Sequence, residues 1–500
     1  MDHHPIATSW YSRNGPVLFI LLLIAGVIFS PVFTNEYLYL DEAYQLWKRN
    51  TDTNYEMFAR HGRLLSGIYF QKAFHYITTV HGLIYLRVIS LAGWIFSSWL
   101  LFYCSKEWVK QLNLSPYLPF LLAVFCICSS SVTIYIAWAS CGQLFLSFIF
   151  GLISGHILFL SLINPRKSRF NFVWAAIMGI ISLLIYQVSF GVFILPFLML
   201  WLSKEPIQKK RALTTAIVAY FMTYLLYFLV FLSYRKVLHT AHDSRTELAF
   251  QPLKKISFFF GSPLSQAWSL NMLQNLHNIY SQLFPVVLML IWLVLLIRQT
   301  LPRQAKTILV QLGVIILLLI FSYVPSLIAK ESFSSYRTMI ALALCVFTLF
   351  SLAILQAIKT EKGRLLISGG LVVLLSFIGY LNYNRKFAGP LQKEYAALDQ
   401  LPVFRTMKPQ DTIIFIRADA KLFQQLYGVK SYKDEFGAPS TLRDWTPENL
   451  TRQIIKEKNG TEAANDVTIY QFADMSGYND SMKIKPLKPV LIDINELLKK

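Results

Sequence analysis

Two adjacent carboxylates, Asp41 and Glu42, follow the first long apolar run, 17–33, within the segment Tyr37-Leu-Tyr-Leu-Asp-Glu-Ala-Tyr44. A carboxylate beside low-dielectric surroundings can serve as a general base, taking the proton from an attacking hydroxyl. The aromatic neighbours, Tyr44 among them, suit both a membrane interface and stacking against a sugar ring. The same loop carries Lys48, Arg49, Arg60, Arg63 and Lys72, mixed with Glu36, Asp52 and Glu56. Guanidinium and ammonium groups at that position fit an anionic ligand, and a lipid phosphate is the natural candidate. Further cations of the same kind are Arg87 near the start of the second apolar run, and Lys330 and Arg337 in Lys330-Glu-Ser-Phe-Ser-Ser-Tyr-Arg337, where Tyr336 adds an aromatic contact. The plain alternative makes the acids a solvated helix start and the cations headgroup anchors. An acidic pair so close to a span, in an aromatic setting, favours chemistry. His239, His242 and Asp243 have metal-like spacing but too few ligands for a site, so a divalent metal is left open but not indicated, and no other cofactor is expected. His156 reads as a packing residue.

Composition says what must position these groups. Apolar residues make up 55% of the 500-residue chain and charged residues 15%, which places it among polytopic membrane proteins. The net charge of +20 does not point to nucleic acid, because the Lys and Arg residues fall in short clusters between apolar runs. All five cysteines lie in or beside apolar segments, so neither a disulfide framework nor a thiolate metal site is expected. Since a bilayer core needs about 20 apolar residues per helix, the runs predict about eleven spans: 16–33, 83–103, 117–137, 143–163, 171–186, 188–202, 212–234, 280–298, 307–328, 338–357 and 365–383. Basic clusters at 106–110, 165–169, 204–211, 298–306 and 359–364 fall on alternate connections, which puts the N-terminus in the cytoplasm. They also require two helices, not one bent helix, between 171 and 202. The loops 34–81, 235–279 and 329–337 and everything after 384 are then outside. Within the first of these, 58–76 reads as an amphipathic stretch in the membrane surface. The polar region 385–500 has strand-like runs at 412–416, 467–472 and 490–494 and a helix over 446–458, which predicts a small α/β domain.

Many helices, an acidic pair in the first external loop, the following Gly62-Arg63-Leu64-Leu65 and a polar external C-terminal region together resemble the GT-C integral-membrane glycosyltransferases. Within that superfamily the chain looks most like the membrane glucosyltransferases that modify bacterial O-antigen. The resemblance implies a GT-C-like transmembrane catalytic domain over 1–384 and an extracytoplasmic α/β domain over 385–500, in the bacterial inner membrane. It implies transfer of a hexose such as glucose from a polyprenyl-phosphate donor to a lipid-linked or cell-surface glycan, with membrane lipids as surroundings. Asp41 would be the base and Glu42 its partner. Arg63 would be a donor-phosphate or structural contact, and the Tyr186-Gln187 step is also similar to the family. Independently of the resemblance, the chemistry of sugar transfer makes Arg60, Arg87, Lys330 and Arg337 further candidates for the donor phosphate, and Tyr44, Tyr336 and Gln187 candidates for substrate. A transporter or flippase of lipid-linked sugars, or a polymerase, is the alternative. Transporters usually carry ionisable residues near the midplane and often show repeated halves, and neither is evident here.

Overall fold

The apolar runs are helices because in hydrocarbon only a ladder within the segment itself satisfies every backbone N–H and C=O. The computed structural model describes residues 14–164, 170–205, 207–238, 247, 251–275, 278–300, 305–428, 432, 435–481 and 489–499. The His239, His242 and Asp243 group and the basic run 165–169 lie outside the described residues. Among the described residues, seven helices are long and apolar enough to cross a membrane: Asn14–Phe33, Leu83–Gln111, Ala139–Ile163, Lys209–Val237, Ile279–Arg298, Ile340–Ala357 and Glu361–Asp399. The chain is therefore a polytopic helical membrane protein. The remaining runs are less regular than their hydropathy suggested. The run 117–137 is a pair of helices, Leu118–Ile127 and Ser130–Ala137, bent by 42°. Ser129 sits extended at the break, and its side chain accepts the Val132 N–H at 3.1 Å, which caps and restarts the helix. Phe170–Ile185, Ser189–Leu202 and Ile308–Phe321 are apolar but shorter.

The chain reverses direction between Phe170–Ile185 and Ser189–Leu202. Both pack on the Ala139–Ile163 helix. Ser147 donates to the carbonyls of Ser182 and Tyr186, and Ser154 to that of Ala175, so the first runs antiparallel to it. Phe159 meets Phe197, and Gly155 comes so close to Phe193 that a Cβ would lie 2.7 Å from its carbonyl oxygen, so the second runs parallel. Small residues and buried serines are what bring helices together in lipid. The turn between the two, Tyr186 to Val188, thus lies at the same end of the bundle as Ala139.

The last long helix does not stop where polar composition begins. It passes from Glu361–Tyr380 through a π turn, Leu381–Ala388, into Gly389–Asp399. The expected division at 384/385 falls inside this continuous helix. Beyond it, β1 (Thr412–Ile416) pairs in parallel with β2 (Thr468–Phe472) on one side and β3 (Val490–Asp493) on the other, in the order β2-β1-β3. Ile413, Ile414, Phe415 and Ile416 are buried, as expected of a central parallel strand. The connecting helix Thr446–Asn459 starts with Pro447 in its first turn and no side-chain cap. This helix reaches back to the first loop. Gln453 donates to the Thr78 carbonyl at 3.0 Å, Glu457 accepts the Val80 N–H at 2.9 Å, and Arg452 and Lys456 lie over the Trp47 ring.

Candidate active site

The acidic pair opens a short helix, Asp41–Trp47. Leu40, just before it, has φ +46°, a backbone conformation that a non-glycine residue holds only when its surroundings impose it. Those surroundings are visible. The Leu40 N–H donates to Ser440 Oγ at 3.1 Å, and the Tyr39 N–H donates to Glu42 Oε2 at 2.8 Å. One step of about 100° around the helix separates the two acids, and it sends them into different environments. Glu42 is fully buried, whereas Asp41 is half-buried.

Glu42 is occupied on both oxygens. Oε2 also accepts Arg87 Nη2 at 2.8 Å, and Oε1 accepts the Ala139 N–H. Arg87 is equally buried: its Nε donates to the Ala137 carbonyl at 3.0 Å, Nη2 to the Tyr37 carbonyl at 2.9 Å, and the Tyr37 ring lies 3.7 Å from its guanidinium. Burial lifts the Glu42 carboxyl above its usual range, against the charge of Arg87 and two backbone N–H donors. The pair ties the first loop, the Leu83–Gln111 helix and the Ala137–Ala139 connection into one unit. Glu42 was expected beside the base and Arg87 at the donor phosphate, but the geometry gives both a framework role: neither side chain is exposed, although Arg87 Nη1 has no hydrogen-bond partner among the described residues.

The second half of the cluster is more open. The 58–76 stretch is two helices, Thr53–Arg60 and Leu64–Tyr76, broken at His61-Gly62-Arg63. Gly62 has φ +75°, and a Cβ there would sit 2.2 Å from the Tyr227 hydroxyl, so both conformation and space require glycine. Gln187 holds this turn: its Nε2 donates to the His61 carbonyl at 2.9 Å and to Tyr227 Oη at 2.7 Å, while the Tyr227 hydroxyl donates to the Gly62 carbonyl at 3.2 Å. Arg63 is left half-buried, 4.7 Å over the Tyr186 ring, with Nε 3.4 Å from Gln187 Oε1. Gln187, expected at the substrate, thus positions Arg63.

Arg337 comes from the opposite side. It lies in the turn Tyr336–Thr338, whose carbonyls accept Ser131 Oγ and the Tyr135 hydroxyl from the buried Ser130–Ala137 helix. Its guanidinium is 4.8 Å over the Trp138 ring, and its Nε is 3.3 Å from Glu435 Oε1, with the side chain 31% exposed. Glu435 itself is buried, accepting the Ser335 hydroxyl and the Tyr336 N–H at 2.7 Å. Burial works against the charge of Arg337, but the Glu435 carboxylate foremost, with smaller contributions of which Asp41 is the least, outweighs it and holds Arg337 above its ordinary range. Arg63 is pulled below its own range, first by burial and then by the like charge of Arg337. Asp41, Arg63 and Arg337 therefore share one electrostatic environment, floored by Trp138 and Tyr186.

The other expected residues divide. Tyr44 is half-buried one turn after Asp41 on the same helix face. Tyr336 is buried in packing: its hydroxyl accepts the Gln274 N–H at 2.9 Å and its ring meets Phe436, so it does not serve as a substrate contact. Arg60 is paired with Glu56 and Lys330 with Glu247, both at the surface, and neither pair joins the cluster. His156 accepts Trp108 Nε1–H at 3.0 Å, as befits a packing residue. Among the described residues no group of three or more His, Cys, Asp or Glu could hold a metal ion. Sequence reading missed Glu435 and Trp138. Trp138 had a signal, an aromatic at an uncharged break between two apolar runs, but Glu435 had none. In comparisons with known proteins, no protein-family model matches the chain and no curated protein matches it significantly.

Proposed function

We propose that the chain is a glycosyltransferase that moves a sugar, a hexose such as glucose, from a polyprenyl-phosphate donor to a cell-envelope glycan on the external face of the bacterial inner membrane. One observation carries the reading: Arg63 and Arg337 lie over the rings of Tyr186 and Trp138 and within range of each other's charge, with Asp41 near enough to Arg337 to add a small attraction. In this reading Asp41 takes the proton from the acceptor hydroxyl as that oxygen attacks the anomeric carbon. The bond to the phosphate oxygen breaks, and Arg63 and Arg337 stabilise the charge that develops there. Two like-charged guanidiniums sharing one site are stabilised most by an anion between them. Trp138, Tyr186 and Tyr44 offer faces for the sugar. An eleven-span arrangement with a cytoplasmic N-terminus, counting the bent pair once and the three shorter apolar helices, belongs to the same reading. A transporter is disfavoured because the charged cluster gathers at one end of the bundle and not along a midplane path.

The test is transfer of labelled sugar from polyprenyl phosphate in membranes containing Asp41→Asn, with protein amount matched. Losing a general base typically costs about 10²–10⁴-fold in rate. Turnover equal to that of the unmodified protein would remove Asp41 as the base. Glycans unchanged by deletion of the gene would sink the transferase reading.

A further inference from the structure

A cavity of about 270 Å³ opens between helices at the other end of the bundle, and its lining includes Trp201, Lys204, Lys209, Trp292, Gln311 and Gln356. Its distance from the candidate site follows from helix geometry. Arg337 precedes the Ile340–Ala357 helix and Gln356 nearly ends it, so at 1.5 Å per residue the helix alone separates them by about 24 Å along its axis. The lining is sorted by polarity. Leucines and Ala353 from the Ile279–Thr300 and Ile340–Ala357 helices form its apolar wall, and the two lysines lie where Leu195–Leu202 gives way to Lys209–Leu238. Lys204 is exposed, while the Lys209 ammonium donates to the carbonyls of Ser203 and Trp201, which holds it at the rim. Lys210 and Arg211 add charge beside it, against Glu205 alone. The Trp201 indole N–H is buried and has no acceptor among the described residues. A buried indole N–H ordinarily finds one.

We propose that this cavity binds an anionic phospholipid of the adjoining leaflet, its phosphate at Lys204 and Lys209 and its acyl chain along the leucine wall. The charge sorting selects the occupant: a zwitterionic lipid gains less from the lysines, and inorganic phosphate gains nothing from the apolar wall. A phosphate oxygen also supplies the acceptor that Trp201 needs. The site is independent of the transfer chemistry, because its test reads lipid binding alone.

The experiment is native mass spectrometry of the full-length protein in detergent, with phosphatidylglycerol, phosphatidylcholine or inorganic phosphate added. The expected result is one retained phosphatidylglycerol, bound at least tenfold more tightly than phosphatidylcholine, with no competition from phosphate. Lys204→Gln with Lys209→Gln should weaken it roughly thirtyfold. Because Lys209 also caps its neighbours' carbonyls, Lys204→Gln alone and Ala353→Leu, which narrows the cavity without touching charge, serve as folded controls that should each weaken binding. Equal retention of the two lipids, displacement by phosphate, or undiminished binding in all three variants would overturn the proposal.

Discussion

Asp41 and Glu42 are neighbours in the chain and opposites in the fold. Glu42 and Arg87 form an ion pair with neither side chain exposed, hydrogen-bonded to backbone at Tyr37, Tyr39, Ala137 and Ala139, with only Arg87 Nη1 lacking a partner among the described residues. Asp41 and Arg337 interact across a half-open cluster where Arg337 keeps about a third of its surface. The difference teaches that charge type says little about role until burial is known. A fully buried pair tied to backbone on several segments holds those segments together, even with Arg87 Nη1 lacking a partner among the described residues, whereas a partly open set of charges has surface left for a ligand.

The sharpest way to break this comparison is to remove one member of each pair. Arg87→Met leaves Glu42 buried without its cation, a change that typically costs about 3–5 kcal/mol, so the protein should melt well below the unmodified form in detergent. Asp41→Asn, by contrast, should leave the melting temperature nearly unchanged while transfer collapses. If Arg87→Met kept normal stability and lost only transfer, Arg87 would belong to the site after all. Arg63→Lys is the next largest effect. Lysine keeps the charge but loses the planar fork and the stacking on Tyr186. A charge-assisted hydrogen bond is worth about 1.5–3 kcal/mol, so transfer should fall roughly ten- to a hundredfold, mostly through KM for the donor. A donor KM equal to that of the unmodified protein would exclude Arg63 from the phosphate.

Much of this architecture was legible from sequence, and the reasons mark where legibility ends. Hydropathy located the spans because lipid imposes one backbone solution on any long apolar run. Charge alternation required a reversal between 171 and 202, and the chain does turn back at Tyr186. The strands at 412–416, 468–472 and 490–493 announced themselves as short apolar runs between polar ones. Partnerships across the chain were not legible. Nothing near Arg87 marks its attachment to Glu42, 45 positions earlier, and nothing near Glu435 marks its attachment to Arg337. The break at Ser129 was also hidden, because one capping serine leaves the hydropathy of its run unchanged.

A smaller effect is expected where the site's second arginine is held from outside. Lys255, on the Pro252–Gly261 helix, sends its ammonium to the carbonyls of Ala329, Lys330 and Glu331 and to Ser332 Oγ at 3.1 Å. Ser262 bonds Ser334 at 2.7 Å, so the segment leading to Arg337 is clasped at two points. Lys255→Met should loosen one of them and slow transfer, but by less than the ~100-fold that a 1 Å misplacement of reacting groups can cost. Unchanged donor KM and turnover would show that Ser131, Tyr135 and Glu435 hold Arg337 by themselves.

The smallest effect sharpens the comparison from an exposed carboxylate. Glu42 and Glu435 each meet an arginine, but Glu457, where the Thr446–Asn459 helix grips the first loop, meets only Gln453 Nε2 and the Val80 N–H by hydrogen bond. Its packing against the first loop raises its carboxyl above the ordinary value and those donors only partly offset it, but the residue is exposed, so solvent screening keeps the effect on stability small. For a carboxyl raised on folding, the linked stability is fully present below the unfolded value of about 4.3 and is lost as pH rises through the folded one. At neutral pH the ionised Glu457 therefore weighs slightly against the fold. Glu457→Gln keeps an oxygen for both donors and removes the charge, so the variant should melt at or above the unmodified protein at pH 7, with the gap closing as pH falls toward 4. A variant that melts lower at pH 7 would mean that the Glu457 charge itself secures the C-terminal helix to the loop, as the Arg87 charge secures Glu42.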